Sequence, residues 1–206
     1  MFHLLIRPLL PGPRAPRLRE LATLAETVSA ASHMLNPNLR PPADAPRELN
    51  GLQHEAIRLR RELENRLARV GVHLSDPRLV CDAASEMVEV LRLITRAVRC
   101  RAWLGLDPVP AEVLELEAVA GQGVQLVALA ARRLATSGAQ RVDQELTESI
   151  KRRAEELYSR GVSRAFTDFP DPLDVLRQKT LYDAMLSLIA GSGRAIESLT
   201  TASFQG

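Results

Sequence analysis

The stretch Lys151–Leu199, KRRAEELYSRGVSRAFTDFPDPLDVLRQKTLYDAMLSLIAGSGRAIESL, decides the fold. It holds two amphipathic helical patterns hinged on the turn Phe169-Pro170-Asp171-Pro172. Aspartate followed by proline starts a helix well. The carboxylate accepts orphan backbone N–H groups, and the proline has no N–H to leave unpaired. Beyond the turn, Val175, Tyr182, Ile189 and Ile196 recur every seven residues, which keeps them on one helix face. Ser75-Asp76-Pro77 repeats the start signal between two other apolar-patterned segments.

Working outward, the last helix is expected over about Asp171 to Ser203 and the fifth over about Arg141 to Phe166. Leu146, Ile150, Leu157 and Gly161 form the apolar stripe of the fifth. Pro110 opens a fourth helix with the seam Val113, Leu116, Ala120, Gly123, Val127, Ala130 and Leu134, closed by Ser137-Gly138. The third starts at Asp76-Pro77, carries Val80, Ala83, Met87, Val90, Ile94 and Ala97, and stops near Gly105 and Asp107-Pro108. The second runs from about Arg47 to Val70 along Leu49, Leu52, Ala56, Leu59, Leu63 and Leu67, ended by Gly71. A first helix from Pro16 to Leu35, with Leu18, Leu21, Ala25 and Val28 on one face, stops at Asn36-Pro37-Asn38. Near-heptad seams over long helices with short connections predict an all-α antiparallel bundle of about six helices. No segment alternates apolar and polar residues for long, so no sheet is expected.

The composition agrees. Of 206 residues, 46% are hydrophobic, 25% charged and only 3% aromatic, which favours helices and allows a core without staples. The net charge of +2 is too near neutral to predict nucleic-acid binding, and Lys151 and Lys179 are the only lysines. Cys81 and Cys100 would lie roughly 28 Å apart on one helix, well beyond the ~7 Å a disulfide needs between Cα atoms. They read as buried, reduced thiols of a cytoplasmic protein. The opening Met1-Phe2-His3-Leu4-Leu5-Ile6-Arg7, broken by Pro8 and Pro11, is far short of the ~20 apolar residues of a membrane span. It is expected to tuck against the bundle.

Aligning the two Asp-Pro turns predicts a weak internal repeat. Residues 15–104 pair with residues 110–204 as two three-helix units of a single domain, with Glu55-Ala56-Ile57 opposite Arg153-Ala154-Glu155 and Val80 opposite Val175.

The C-terminal positions Ala154, Leu157, Tyr158, Phe166, Asp171, Pro172, Val175, Leu176, Lys179, Leu181 and Tyr182 carry a further signal. In spacing and residue type this stretch resembles the PhoU-like family of phosphate-transport regulators, in the branch that accompanies Pit-type phosphate transporters. His54-Glu55-Ala56 matches the first half of that pattern more loosely, and the helix order fits nearly the whole chain. The resemblance implies a pair of three-helix bundles whose Glu/Asp-x-x-x-Asp motifs hold metal ions. Residues four apart share a helix face, so two such carboxylates can converge on one hard cation.

Carried over residue by residue, those motifs are eroded. The expected carboxylates fall at Ile57, Val88, Glu89 and Arg92 in the first half, and at Arg153, Glu155, Leu186 and Ala190 in the second. Glu89 and Glu155 remain acidic, and Glu55 stands on the neighbouring helix. These three are the residual metal-ligand candidates, and the expectation is that the family's metal clusters are absent or much weakened.

The remaining signals have bland readings. His54-Glu55-Ala56-Ile57-Arg58 begins like a zinc-protease motif but lacks the second histidine on the same face. His3, His33 and His73 are isolated. Asp82, Glu86 and Glu89 share a sector of the third helix, and Glu55 and Glu62 a face of the second. Both read as solvated surface, with a shifted remnant of the acidic site as the sharper alternative. The clusters Arg58-Arg60-Arg61, Arg96-Arg99-Arg101 and Arg132-Arg133 lack aromatic neighbours and read as helix surface rather than as phosphate sites. Gly121-Gln122-Gly123 and Gly191-Ser192-Gly193 follow no strand, so neither cradles phosphate. Close helix approach or a kink would compensate their cost inside helices.

No nucleophile–base pair or intact metal set is legible, so neither catalytic residues nor a cofactor are assigned. The expectation is a cytoplasmic, non-enzymatic PhoU-like accessory protein. It would dock on an inner-membrane phosphate transporter or its regulator, and so sit peripherally at that membrane. A general helical adaptor or homo-oligomeric scaffold, unrelated to phosphate, is the alternative.

Overall fold

Two aspartates set the starts of two helices. Asp76 Oδ1 accepts a hydrogen bond from the Arg78 N–H at 2.9 Å, with Pro77 as the first helical residue. Asp171 Oδ1 accepts from the Leu173 N–H at 2.9 Å ahead of Pro172. The computed structural model describes residues 18–35, 44–69, 76–105, 109–137 and 144–204. Among them are six α-helices and no strand: α1 (Arg19–Ser32), continued by a short 3-10 turn His33–Leu35, α2 (Ala45–Arg69), α3 (Pro77–Leu104), α4 (Ala111–Ser137), α5 (Gln144–Asp168) and α6 (Pro172–Phe204). Gly105 ends α3 in the left-handed conformation, φ 56°, which glycine adopts without a side-chain clash. The N-terminal segment, His3, His73 and the stops at Asn36-Pro37-Asn38, Gly71, Asp107-Pro108 and Gly138 lie outside the described residues.

Cross-helix contacts give the directions. The Leu18 N–H donates to the Ala135 carbonyl, while Ser32 meets Gln125, so α1 and α4 run antiparallel. Glu86 faces Arg194 and Leu93 faces Gly191, so α3 and α6 do the same. Tyr158 bonds Asp183 and Gly161 meets Tyr182, which fixes α5 against α6. The neighbours follow one scheme in both halves: α2 packs on α1 and α3, and α5 packs on α4 and α6. The two sets then meet through α3 against α6 and α1 against α4.

The expected seams are buried: Leu21, Ala25 and Val28 on α1, Leu49, Ala56, Leu59, Leu63 and Leu67 on α2 (Leu52 only partly), Val80 to Ala97 on α3, and Val175, Tyr182, Ile189 and Ile196 on α6. At ~25 cal/mol per Å² of apolar surface, such continuous stripes supply most of the drive to fold. Two expectations need correcting. Leu146, expected on the buried stripe of α5, is 43% exposed in the first turn of that helix. Cys81 and Cys100 were read as buried, but both are only half-buried. The partial burial of Cys81 still pushes its thiol pKa up, and Glu64 and Asp82 add to the effect.

By length and composition α4 is apolar enough to cross a membrane. Half of that window is buried in the bundle, against α1, α5 and α6. The four glycines of Gly121-Gln122-Gly123 and Gly191-Ser192-Gly193 divide into two kinds. A Cβ on Gly123 would touch Ser192 at 3.5 Å, and one on Gly191 would run into Leu93, so close approach explains those two. Gly121 and Gly193 face open space.

Candidate functional site

The α5–α6 pair is locked at one end. Gly161 gives room for the Tyr182 ring, which is 1% exposed, and Tyr158 meets it edge-on with centroids 6.4 Å apart. The Tyr158 hydroxyl donates to Asp183 Oδ1 at 2.8 Å, and Lys179 Nζ donates to Asp183 Oδ2 at 2.7 Å. Burial works against the Asp183 charge, yet the lysine and tyrosine donors hold its carboxyl below the usual range. Burial, with the nearby Glu112 charge, pushes the Tyr182 hydroxyl up to about 12.

Toward the other end the two helices part. They leave a groove of about 930 Å³ between Gln144–Glu155 of α5 and Leu186–Thr201 of α6, with Gly123 of α4 at its base. Ile150, Ile189 and Ile196 make the floor, and Leu186 and Ala190 extend the α6 wall. The Ser192 hydroxyl, at the bottom, is spent on the Leu188 carbonyl at 3.0 Å. Glu148 and Glu155 stand seven residues apart on α5, and Glu197 stands across from them on α6. Volume and lining fall in the range of sites that receive an apolar ligand or helix.

Of the three residual carboxylates, only Glu155 lies on this groove. Glu55 Oε2 accepts from Arg58 Nε at 2.9 Å, which holds its carboxyl low, and Arg58 also reaches Glu62 at 2.5 Å. Glu89 Oε2 accepts from Arg92 Nε at 2.7 Å, with the same consequence. Neither lines the groove with Glu155, and among the described residues no three His, Cys, Asp or Glu side chains gather as metal ligands. Arginines occupy two of the other expected motif positions. Arg92 holds Glu89, and Arg153 holds Glu115 at 2.5 Å and Glu156 at 3.5 Å. Glu86 faces Arg194 at 3.6 Å. A second hollow, lined by His54, Ile57, Arg58, Arg61, Glu62 and Asn65, lies along one face of α2 alone.

Two buried acids of α4 were not legible as such in the sequence. Glu117, 1% exposed, holds Arg101 of α3 at 2.6 Å, and burial pushes its carboxyl up to about 7 against the pull of that arginine. Glu112 holds Arg164 of α5 at 2.7 Å. Burial alone would raise its pKa, but the arginine bond leaves it lowered. Only the placement of Glu117 hinted at it, four residues after Val113 and three before Ala120, on the buried seam.

No known protein-family model matches the chain, and no curated protein matches it.

Proposed function

We propose that the chain is a non-enzymatic, PhoU-like accessory protein. It docks on an inner-membrane phosphate transporter, or on a regulator of one, from the cytoplasmic side. One observation carries the reading. Glu155, Leu186 and Ala190, three positions where the resembled family expects metal carboxylates, come together on one groove of an all-helical bundle. Two of the three are apolar, so the groove favours packing over metal coordination. The partner would be modulated through surface complementarity along the helices rather than through metal chemistry. Deleting the gene and measuring inorganic phosphate uptake, together with mild crosslinking to membrane phosphate transporters, tests it. Unchanged uptake and a clean failure to crosslink overturn it.

A second reading, a general helical adaptor or homo-oligomeric scaffold unrelated to phosphate, is favoured by a different observation. Trp103 at the end of α3, Phe166 at the end of α5, and Leu173 and Leu176 at the start of α6 are all more than half exposed. Large exposed apolar side chains at helix ends suit protein contacts. A deletion phenotype independent of phosphate, with self-association in solution, would support this reading over the first.

A further inference from the structure

We infer that the α5–α6 groove receives a basic amphipathic helix of a partner protein. The inference deepens the docking reading by naming the surface and the chemistry of what it holds, and it does not depend on any link to phosphate. It stands on the shape of the groove, its floor and its rim.

The groove is a trough rather than a closed cavity. Its α5 wall runs over the twelve residues from Gln144 to Glu155, roughly 18 Å at 1.5 Å per residue, which is about three turns of a docked helix. The floor of Ile150, Ile189 and Ile196 offers a continuous apolar strip to side chains spaced three and four apart. Gly123 and Ser192 bring α4 and α6 together beneath it, so the floor is fixed by helix packing.

The rim decides the chemistry of the occupant. Elsewhere in the bundle, three glutamates of α4 that face another helix each hold an arginine: Glu112 with Arg164, Glu115 with Arg153, Glu117 with Arg101. Glu148, Glu155 and Glu197 hold none among the described residues, and they flank the apolar floor from both walls. Of the two cations on the rim, Arg194 is drawn to Glu86, which leaves Lys151 against three carboxylates. A negative rim repels a fatty-acid carboxylate or a lipid phosphate. It complements a helix whose apolar stripe is bordered by lysine and arginine.

The test uses the full chain and two labelled synthetic helices of about 14 residues. Both carry the same leucine stripe, one flanked by lysines and the other by glutamates, and binding is read by fluorescence anisotropy. The lysine helix is expected to bind roughly ten-fold or more tighter at low salt, and salt should narrow the gap. The triple variant E148Q/E155Q/E197Q should remove most of the preference while still binding both helices. Ala190→Trp, which fills the groove from an exposed position, should abolish binding while circular dichroism and melting stay those of the parent. Equal binding of the two helices overturns the inference, as does lysine-helix binding that survives Ala190→Trp. A dimer of the chain that Ala190→Trp dissociates also overturns it, by assigning the groove to a second copy. Neither phosphate nor a transporter enters this assay, so its failure is separate from failure of the phosphate-transport reading.

Discussion

Gly161 on α5 and Tyr182 on α6 are fitted so closely that a Cβ at position 161 would stand 2.5 Å from Cε1 of the tyrosine ring. No real Cβ tolerates that, and the buried ring, braced by Tyr158, has little room to retreat. Replacing a helical glycine by alanine ordinarily gains about 1 kcal/mol. Gly161→Ala should instead cost about 1–3 kcal/mol, because overpacking outweighs propensity. Gly121→Ala, where a Cβ meets nothing, should follow propensity and stabilise by up to about 1 kcal/mol. Urea denaturation midpoints of the two variants check the contrast. A Gly161→Ala midpoint above that of the parent refutes the packing argument.

That contrast marks how far the sequence could be read. Periodicity and Asp-Pro chemistry are local, so the six helices, the starts at Pro77 and Pro172 and the buried seams were legible. Which glycine meets a neighbour is a question of which helices cross and where. Nothing within Gly121-Gln122-Gly123 told the open position from the one against Ser192. The same limit hid the groove. Ile189 and Ile196 lie on the inner face, as their spacing implies, but the parting of α5 from α6 is set by packing at a distance. The arginines fail differently. The clustered ones, Arg58 and Arg101 among them, read as solvated surface, and Arg58, Arg60 and Arg92 do bind acids on their own helix. Arg101, Arg153 and Arg164 instead reach a neighbouring helix that no spacing rule identifies.

The Glu117–Arg101 pair should make stability depend on pH. The Glu117 carboxyl is raised from an ordinary 4.5 to about 7, so between those values the folded chain binds more protons than the unfolded one. Stability therefore falls as pH rises from about 4.5 to 7, by roughly 3 kcal/mol from this group, and is flat above. Glu117→Gln should remove that slope. Arg101→Ala strands a buried charge and should cost about 3–5 kcal/mol at pH 8, and less at pH 5, where the acid is neutral. Chemical denaturation across that range checks both. An Arg101→Ala penalty independent of pH would show that the pair is not the source.

Asp183 titrates with the opposite sign. Its pKa is depressed in the fold, so what it contributes is present above the unfolded value of 3.8 and is lost as pH falls through the folded one. Tyr158→Phe deletes one of its two donors and keeps the ring contact with Tyr182. A partly exposed hydrogen bond to a carboxylate suggests a loss of about 1 kcal/mol at pH 7. The loss should fade in acid, where Asp183 no longer holds a charge. Stability of the parent and of Tyr158→Phe, compared from pH 7 down to pH 3, checks the trend.

The last prediction concerns metal. Glu55 and Glu89 are committed to Arg58 and Arg92, and Glu155 stands on a groove with Leu186 and Ala190 where acids would be needed. Protein stripped with chelator and reconstituted should take up iron, manganese or zinc far below one equivalent, with an unchanged melting temperature. Leu186→Asp with Ala190→Asp puts two carboxylates four residues apart on α6, facing Glu155 across the groove. Three oxygen donors converging there suit a hard divalent cation. Saturating manganese should then stabilise the double variant, by about 2.7 kcal/mol when the metal is at 100 times its dissociation constant. Comparing the variant with and without manganese cancels any folding cost of the substitutions themselves. Stoichiometric metal on the unmodified chain would overturn the view that its arginines and small residues have displaced the ligand set. Failure of the double variant to respond would mean that the groove walls stand too far apart to close on an ion.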